Sequence, residues 1–375
     1  MIEIKEVNTR KEKKIFANYP LILYKDCPYF VPSLFGDEMA ILNPKKNYNL
    51  ATNKCKAFLA YRDGELVGRI AGLINYKDNE LTGKNYIRFS RFDCINDLEV
   101  FSALIGAVEK FGKENGMNII HGPWGFNDTD REGMLTYGFN ERSTYATYYN
   151  YPYCHENMEK LGFFDESKWI ERNFEIPAQM DEKVDRISAK LMEKYSFTDL
   201  VKVMSIRKIV KKYGAKFFET FNEAYAHLDG FTPVVGKAQK NVLKQFATII
   251  NRRYASILLD KDGDIAGFGI VLPSICDALI KSKGRLFPFG FIRVLKSIRK
   301  PKELECALIA VKEKYKNSGI NAIIINNVGK HIIEDKIERI ESNPMLEHNF
   351  NIQAQWKFTS NEIIKKRQTY QKEIV

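Results

Sequence analysis

The sequence predicts an α+β protein of two similar domains, each built around a mixed sheet. Three observations carry this reading: an internal echo, the order of strand and helix patterns around each copy of it, and an ordinary globular composition. Asp63-Gly64-Glu65-Leu66-Val67-Gly68 recurs 199 residues later as Asp262-Gly263-Asp264-Ile265-Ala266-Gly267. Each copy joins two apolar runs, Ala57 to Tyr61 with Arg69 to Ile74, and Ser256 to Leu259 with Phe268 to Leu272. Asp-Gly between such runs signals a hairpin, because Gly takes the positive φ of a tight turn without strain. Two copies imply a duplicated domain, and 375 residues suit two domains. With 45% hydrophobic and 28% charged residues, the chain is neither disordered nor collagen-like.

In the first half, strands are expected at the hairpin and at Tyr86 to Phe92. A helix follows from Leu98 to Lys113, with Val100, Leu104, Val108 and Phe111 on one face and Asn96 or Asp97 placed to cap it. Met117 to Ile120 reads as a short strand ended by His121-Gly122-Pro123, and Asn127 to Glu132 as a polar loop. Beyond come an expected strand near Tyr145 to Tyr149, a short helix after Pro152, a strand at Lys168 to Ile176 and a linker at Pro177-Ala178-Gln179. The second half opens with helices near Asp181 to Lys194, Ile206 to Leu228 and Lys237 to Asn251. Its hairpin is followed by a basic segment, a strand at Glu305 to Val311 and a turn from Lys312 to Gly319. Ile320 to Val328 is open between strand, favoured by Ile323-Ile324-Ile325, and helix, favoured by the Gly-containing turn before it. The expected domains are 1–176 and 177–375.

Charge and cysteine usage narrow the function classes. Residues 1–176 hold 23 basic and 25 acidic side chains, while the remainder holds 35 and 22, a net of +13. That asymmetry points to an anionic partner for the second half: a phosphorylated cofactor, a nucleic acid or a membrane surface. Lys281, Lys283, Arg285, Arg293, Lys296, Arg299, Lys300 and Lys302 interleave with Phe287, Phe289, Phe291 and Ile292. This stretch suits an RNA groove, an amphipathic helix on an anionic membrane, or a helix packed on its own domain. The six cysteines are scattered, without CxxC pairs, as expected of free thiols in a reducing cytoplasm. Met1 to Lys14 is too rich in Lys and Glu for a secretory signal. The longest apolar run, Ile265 to Ile280, is broken by Pro273 and Asp277, so no membrane span is expected. The five histidines show no metal-ligand spacing, and no metal is expected.

Strand, Asp-Gly turn, strand, then a strand entering a polar turn and helix resembles the GNAT acyltransferase superfamily. Its signature Gln/Arg-x-x-Gly-x-Gly/Ala is similar to the segment here in which Lys316 holds the first position, Gly319 the central Gly and Asn321 the last. Glu341-Ser342-Asn343-Pro344-Met345 resembles the segment beside the pantetheine, and Gln353 to Phe358 would be the closing strand. The first half resembles the same fold without the cofactor motif: Phe92-Asp93-Cys94-Ile95-Asn96-Asp97 contains no Gly, while Glu159-Lys160-Leu161-Gly162-Phe163 matches a common GNAT ending. The layout is similar to a bacterial group of tandem GNAT-like proteins, on Asp63 to Ile70, Gly116 to Pro123 and Gly138-Phe139-Asn140.

The resemblance implies two GNAT-like domains with mixed, largely antiparallel sheets, and acyl transfer from acetyl-CoA or another acyl-CoA to an amine of a small molecule or peptide. The diphosphate would lie over Lys316, Asn317, Ser318, Gly319, Ile320, Asn321 and Ala322. There, N–H groups at a helix start and a glycine allow close approach. The pantetheine would run along Ala307, Leu308, Ile309, Ala310 and Val311, with Asn343 alongside. His348 is the imidazole near the expected thiolate and a candidate proton donor; Asp229, in the loop after a long helix, is a candidate for binding an ammonium. Phe350 falls where many members carry a proton-donating Tyr, and Phe has no acidic proton. Two rivals remain: a Fem-type transferase using aminoacyl-tRNA, and a non-catalytic binding protein.

Overall fold

The computed structural model describes residues 1–126, 130–226, 231, 233–236, 239, 242, 243, 248–349, 353, 356 and 359–374. The first half starts with β1 (Ile2–Glu6) and α1 (Arg10–Leu23). A capping box begins α1: Thr9 Oγ1 accepts from the Glu12 N–H and the Glu12 carboxylate accepts from the Thr9 N–H. Then come α2 (Phe35–Ala40), the hairpin β2 (Lys54–Arg62) and β3 (Glu65–Ile74), α3 (Tyr76–Thr82), β4 (Tyr86–Cys94) and α4 (Leu98–Lys113). Asp63 and Gly64 turn the hairpin with φ of 51° and 86°, the left-handed pair an Asp-Gly turn provides. The half ends with β5 (Ile119–Gly122), β6 (Met134–Tyr137), α5 (Tyr153–Lys160) and β7 (Phe164–Phe174). As the spacing predicts, α4 buries Val100, Leu104, Val108 and Phe111 against the sheet, and Asp97 caps it.

The second half comprises α6 (Glu182–Lys194), β8 (Thr198–Asp199), α7 (Leu200–Val203), α8 (Ile206–Tyr225), the hairpin β9 (Ala255–Leu259) and β10 (Ile265–Pro273), α9 (Cys276–Ser282), α10 (Gly290–Arg299) and β11 (Glu303–Val311). It closes with α11 (Ile320–Glu334), β12 (Arg339–Ser342), β13 (Met345–Leu346) and β14 (Asn361–Glu373). The ambiguous Ile320 to Val328 run is helical, its Ile320, Ile323 and Ile324 buried under β9 and β10 together with Phe197 and Leu258. Two expectations are corrected. Tyr145 to Tyr149 is not a strand; the Thr147 N–H turns back to the Thr144 carbonyl, and β6 lies earlier. Gln353 to Phe358 is not the closing strand: its described residues Gln353 and Trp356 donate to the Asn349 and Gln353 carbonyls in helical turns, and β14 closes the sheet. Most of the expected Lys237 to Asn251 helix lies outside the described residues.

One sheet runs through the molecule in the order β1-β2-β3-β4-β5-β14-β7-β12-β11-β10-β9-β8. Only β4–β5 and β11–β12 are parallel among the described pairings. The two Asp-Gly hairpins therefore occupy equivalent places, each followed by an antiparallel strand, a helix and a parallel strand. The halves exchange their final strands: β14 pairs with β5 and β6 of the first half, and β7 pairs with β12 and β13 of the second. The sheet is stitched across the expected 176/177 boundary.

The seam is ionic. Lys365 on β14 is fully buried and bridges Glu171 of β7 (3.2 Å) and Glu341 of β12 (2.8 Å), and it also donates to the Arg142 carbonyl. Arg367 pairs with Glu171 at 2.5 Å. Burial works against charge on Glu171, yet Arg367 and Lys365 hold its carboxyl below the usual range. Arg339 also pairs with Glu341, so each buried carboxylate meets two cations, which is what lets these groups stay buried.

Candidate acyl-transfer cleft

β11 and β12 are paired only from Glu303–Arg339 to Cys306–Ser342, after which the strands part. The Asn343 N–H donates to the Cys306 carbonyl at the fork. On its other side, β11 pairs with β10 at Leu308–Ile270 and Cys306–Val271, which leaves Ala307 as an extra residue. Such a bulge bends the strand and frees a backbone group. Ala307, Leu308 and Ile309 are half-buried and, with Ala310 and Val311, line a cleft of about 2410 Å³ that spans both halves of the molecule. In this structure the Tyr225 hydroxyl donates to the Ile309 carbonyl (3.2 Å), covering one acceptor of the free edge. Burial pushes the Tyr225 phenol up to about 12, so it holds its proton firmly.

Eight residues, 312–319, connect β11 to α11. Asn317 (φ 62°) and Gly319 (φ 86°) both take the left-handed conformation. Such a turn points successive N–H groups into one concavity. The N–H groups of Asn317, Gly319, Ile320 and Asn321 make no hydrogen bond among the described residues. Ser318 Oγ, Asn321 Oδ1 and Asn343 Oδ1 are buried polar atoms likewise without partners. Asn321 and Asn343 line the cleft, so their unpartnered oxygens are open to a polar ligand group. A Cβ on Gly319 would meet Leu191 Cδ1 of α6 at 2.8 Å. The positive φ alone favours glycine here. The lysines are committed elsewhere: Lys312 pairs with Asp264, Lys314 with Asp260 and Lys316 with Glu313. Attraction for an anion therefore rests on the turn's N–H groups and the start of α11.

The equivalent place in the first half is filled by its own side chains. Only three residues, 95–97, connect β4 to α4. Asp97 Oδ1 accepts the Glu99 and Val100 N–H groups, so a carboxylate already sits on this helix start, and Arg62 pairs with it. At the fork of β4 and β5, the Trp124 backbone N–H donates to the Phe89 carbonyl, and its indole packs against His121, Arg88 and Trp169. Arg91, at φ 50° beside the β4 bulge, is tied to Glu38. Against burial, Arg91 and Arg69 hold Glu38 down to about 2.

Of the remaining expected residues, His348 is exposed and is not among the residues lining the cleft. Asp229 and Phe350 lie outside the described residues. Sequence reasoning passed over Glu305. It sits on β11 two residues before the bulge, buried in the cleft wall, where the Ser274 hydroxyl (2.8 Å) and the Cys276 thiol (3.3 Å) donate to Oε1. Burial raises its pKa above the usual carboxylate value. A carboxyl moved toward neutrality is what proton removal from an ammonium requires. In the sequence it is one Glu in an apolar strand, with no local signal. Among the described residues no cluster of His, Cys, Asp and Glu could hold a metal, and no helix is long and apolar enough to cross a membrane.

No family model matches the chain. Protein YghO of Escherichia coli strain K12 is 25% identical over 383 residues, covering 97% of this chain and 94% of that protein. A protein named bacterial ceramide synthase, from Caulobacter vibrioides, is 25% identical over 319 residues, covering 83% and 81%. Among solved structures, a tandem GNAT protein from the clavulanic acid biosynthesis pathway superposes with a TM-score of 0.58 at 9% identity, covering 100% of this chain and 99% of that one. A GCN5-related N-acetyltransferase from Sphaerobacter thermophilus gives 0.53 at 9% identity, covering 100% and 96%.

Proposed function

We propose that this chain, whose fold is that of the tandem GNAT proteins, transfers an acyl group from an acyl-CoA thioester to an amine in the cleft of its second half. One observation carries the reading: the turn before α11 keeps N–H groups without partners among the described residues, where Asp97 already occupies the equivalent helix start in the first half. The diphosphate would rest on Asn317 to Ala322, and the pantetheine along Ala307 to Val311 with Asn343 beside it. Tyr225 would yield the Ile309 carbonyl to a pantetheine amide.

Glu305 takes a proton from the acceptor ammonium, and the freed amine attacks the thioester carbonyl. The C–N bond forms as the C–S bond breaks, CoA leaves as a thiolate with the C–S electron pair, and the nitrogen, cationic after attack, gives its second proton to solvent to leave a neutral amide. Tyr225, with its raised pKa, is too weak an acid to protonate that thiolate efficiently, so solvent does so. The Ala307 bulge would offer a backbone group to the reacting carbonyl, in the manner of an oxyanion hole.

For the acceptor we favour an amine with a long apolar tail over the small amine or peptide expected from the sequence. The cleft continues beyond the strand edge assigned to the pantetheine. Its far wall is apolar, formed by Ile275, Leu286, Phe291, Val294, Leu295 and Ile298. The relative named for ceramide synthesis supports the same class, since a ceramide is an N-acylated long-chain amino alcohol. Release of free CoA thiol tests the proposal. Long-chain amino alcohols should drive release from acyl-CoA, and short amines such as ethanolamine should not. Equal rates with both would remove the apolar acceptor. No release with any amine, together with no CoA binding, would leave the non-catalytic reading standing.

A further inference from the structure

The basic, aromatic segment of the second half forms a surface that the catalytic reading does not use. α10 packs Val294 and Ile298 onto Val31, Ile275, Cys276 and Leu279, so one face is anchored. The chain leading into it is fixed to the first half: the Phe35 N–H donates to the Gly284 carbonyl, and Arg285 donates to Asn18 and lies over the Phe35 ring. On this fixed base, Phe287 is 78% exposed, Phe289 67%, Ile292 53% and Leu295 43%. Large apolar side chains gathered in water at one tip mark a contact surface rather than a packing accident.

Charge identifies what that surface meets. Lys281, Arg293, Lys296, Arg299 and Lys300 are exposed around the tip, and none pairs with a carboxylate among the described residues. The loop lysines 312, 314 and 316, by contrast, are all paired. Uncompensated cations ringing exposed aromatic and aliphatic side chains match an anionic bilayer surface, with rings entering the interface and cations at the headgroups. A nucleic acid would use the cations and stack bases on the rings, but it gives no role to Ile292 and Leu295.

We propose that the Phe287–Lys300 surface docks on anionic lipid bilayers. Phe291 and Leu295 of α10 line the cleft as well as the exposed tip, so docking would face the apolar end of the cleft toward the bilayer. An amine with a long tail could then enter without crossing water. That consequence rests on the acceptor proposed above; the docking itself does not.

Co-sedimentation of the full chain with extruded vesicles tests the proposal apart from activity. The protein should bind vesicles of phosphatidylcholine mixed with phosphatidylglycerol and bind phosphatidylcholine alone far more weakly, with affinity falling as salt rises. Phe287→Ser with Phe289→Ser, and separately Lys296→Glu with Arg299→Glu, should each weaken binding at least about tenfold. Both pairs should keep the wild-type melting temperature and the wild-type thiol-release rate on detergent-dispersed amine. Absence of thiol release from a wild type that binds anionic vesicles would count against the catalytic reading and leave docking in place. Docking is overturned if the wild type stays in the supernatant with anionic vesicles at low salt, or if neither pair changes binding. It is also overturned if tRNA binds with a steep salt slope while vesicles do not, or if the phenylalanine pair abolishes a dimer instead.

Discussion

Asp97 shows what a carboxylate does at the start of the helix after the fourth strand, and Ser318 is the place to repeat it. Ser318→Asp puts a negative charge one residue before Gly319, among the N–H groups assigned to the diphosphate. Like unit charges about 5 Å apart at an effective dielectric of about 20 repel by roughly 3 kcal/mol. Salt at this partly exposed turn reduces that to about 1.5–2 kcal/mol. CoA affinity should therefore fall about 10- to 30-fold. A carboxylate near a helix N-terminus contributes about 0.3–1 kcal/mol, set against the cost of placing charge where Ser318 Oγ is buried, so a thermal melt of each variant confirms that it is folded. Ser318→Asn separates size from charge and should cost far less. Asn96→Asp adds the same charge to the first half's turn, where Asn96 is exposed, and should leave affinity unchanged. Isothermal calorimetry with CoA on the three variants reads all of this. Unchanged affinity in a folded Ser318→Asp protein, or an equal loss in Asn96→Asp, would refute the reasoning.

Two further predictions concern buried charge. The thiol-release rate should rise with pH through the raised pKa of Glu305, above the ordinary carboxylate range, and Glu305→Gln should remove that limb. Because the folded-state pKa is raised, Glu305 favours folding below its unfolded pKa and loses that contribution as pH rises through the folded value. The Gln variant should therefore melt no lower than wild type at pH 7, as calorimetric scans would check. At the seam, Lys365→Met leaves Glu171 and Glu341 buried without their shared cation and should cost about 3–5 kcal/mol in urea unfolding, with Glu341→Gln added to it restoring part of the loss.

Local signals made much of the fold legible. The Asp-Gly turns, the one-sided apolar pattern of α4 and the Gly before α11 each depend on neighbours in sequence, and each stands where expected. The partner of a strand does not depend on neighbours. β14 reads Ile-Ile-Lys-Lys-Arg-Gln-Thr-Tyr, a polar pattern, yet Lys365, Arg367, Gln368 and Thr369 are buried because Glu171, Glu341, Asp165 and Glu166 wait across the seam. Nothing within the segment announces those partners, so the exchange of β7 and β14 was invisible. Tyr145 to Tyr149 has the composition of a strand, but Tyr149 instead packs on Tyr24 while Thr144 and Thr147 bond to each other. In the site, the turn was readable from Gly319 and its spacing. The bulge at Ala307 and the environment of Glu305 come from β10 and from Ser274 and Cys276, and they could be found only in three dimensions.

The central claim is that acyl-CoA binds the second half and that the first half's copy of the site is closed. Hydrogen-exchange mass spectrometry of the full chain, with and without saturating CoA, addresses both parts in one measurement. Protection should appear at residues 307–325 and 341–346, where strand edge, turn and Asn343 segment would meet the ligand, while residues 86–100 exchange as before. Protection at 92–100, or bound CoA with no change at 307–325, would contradict the account.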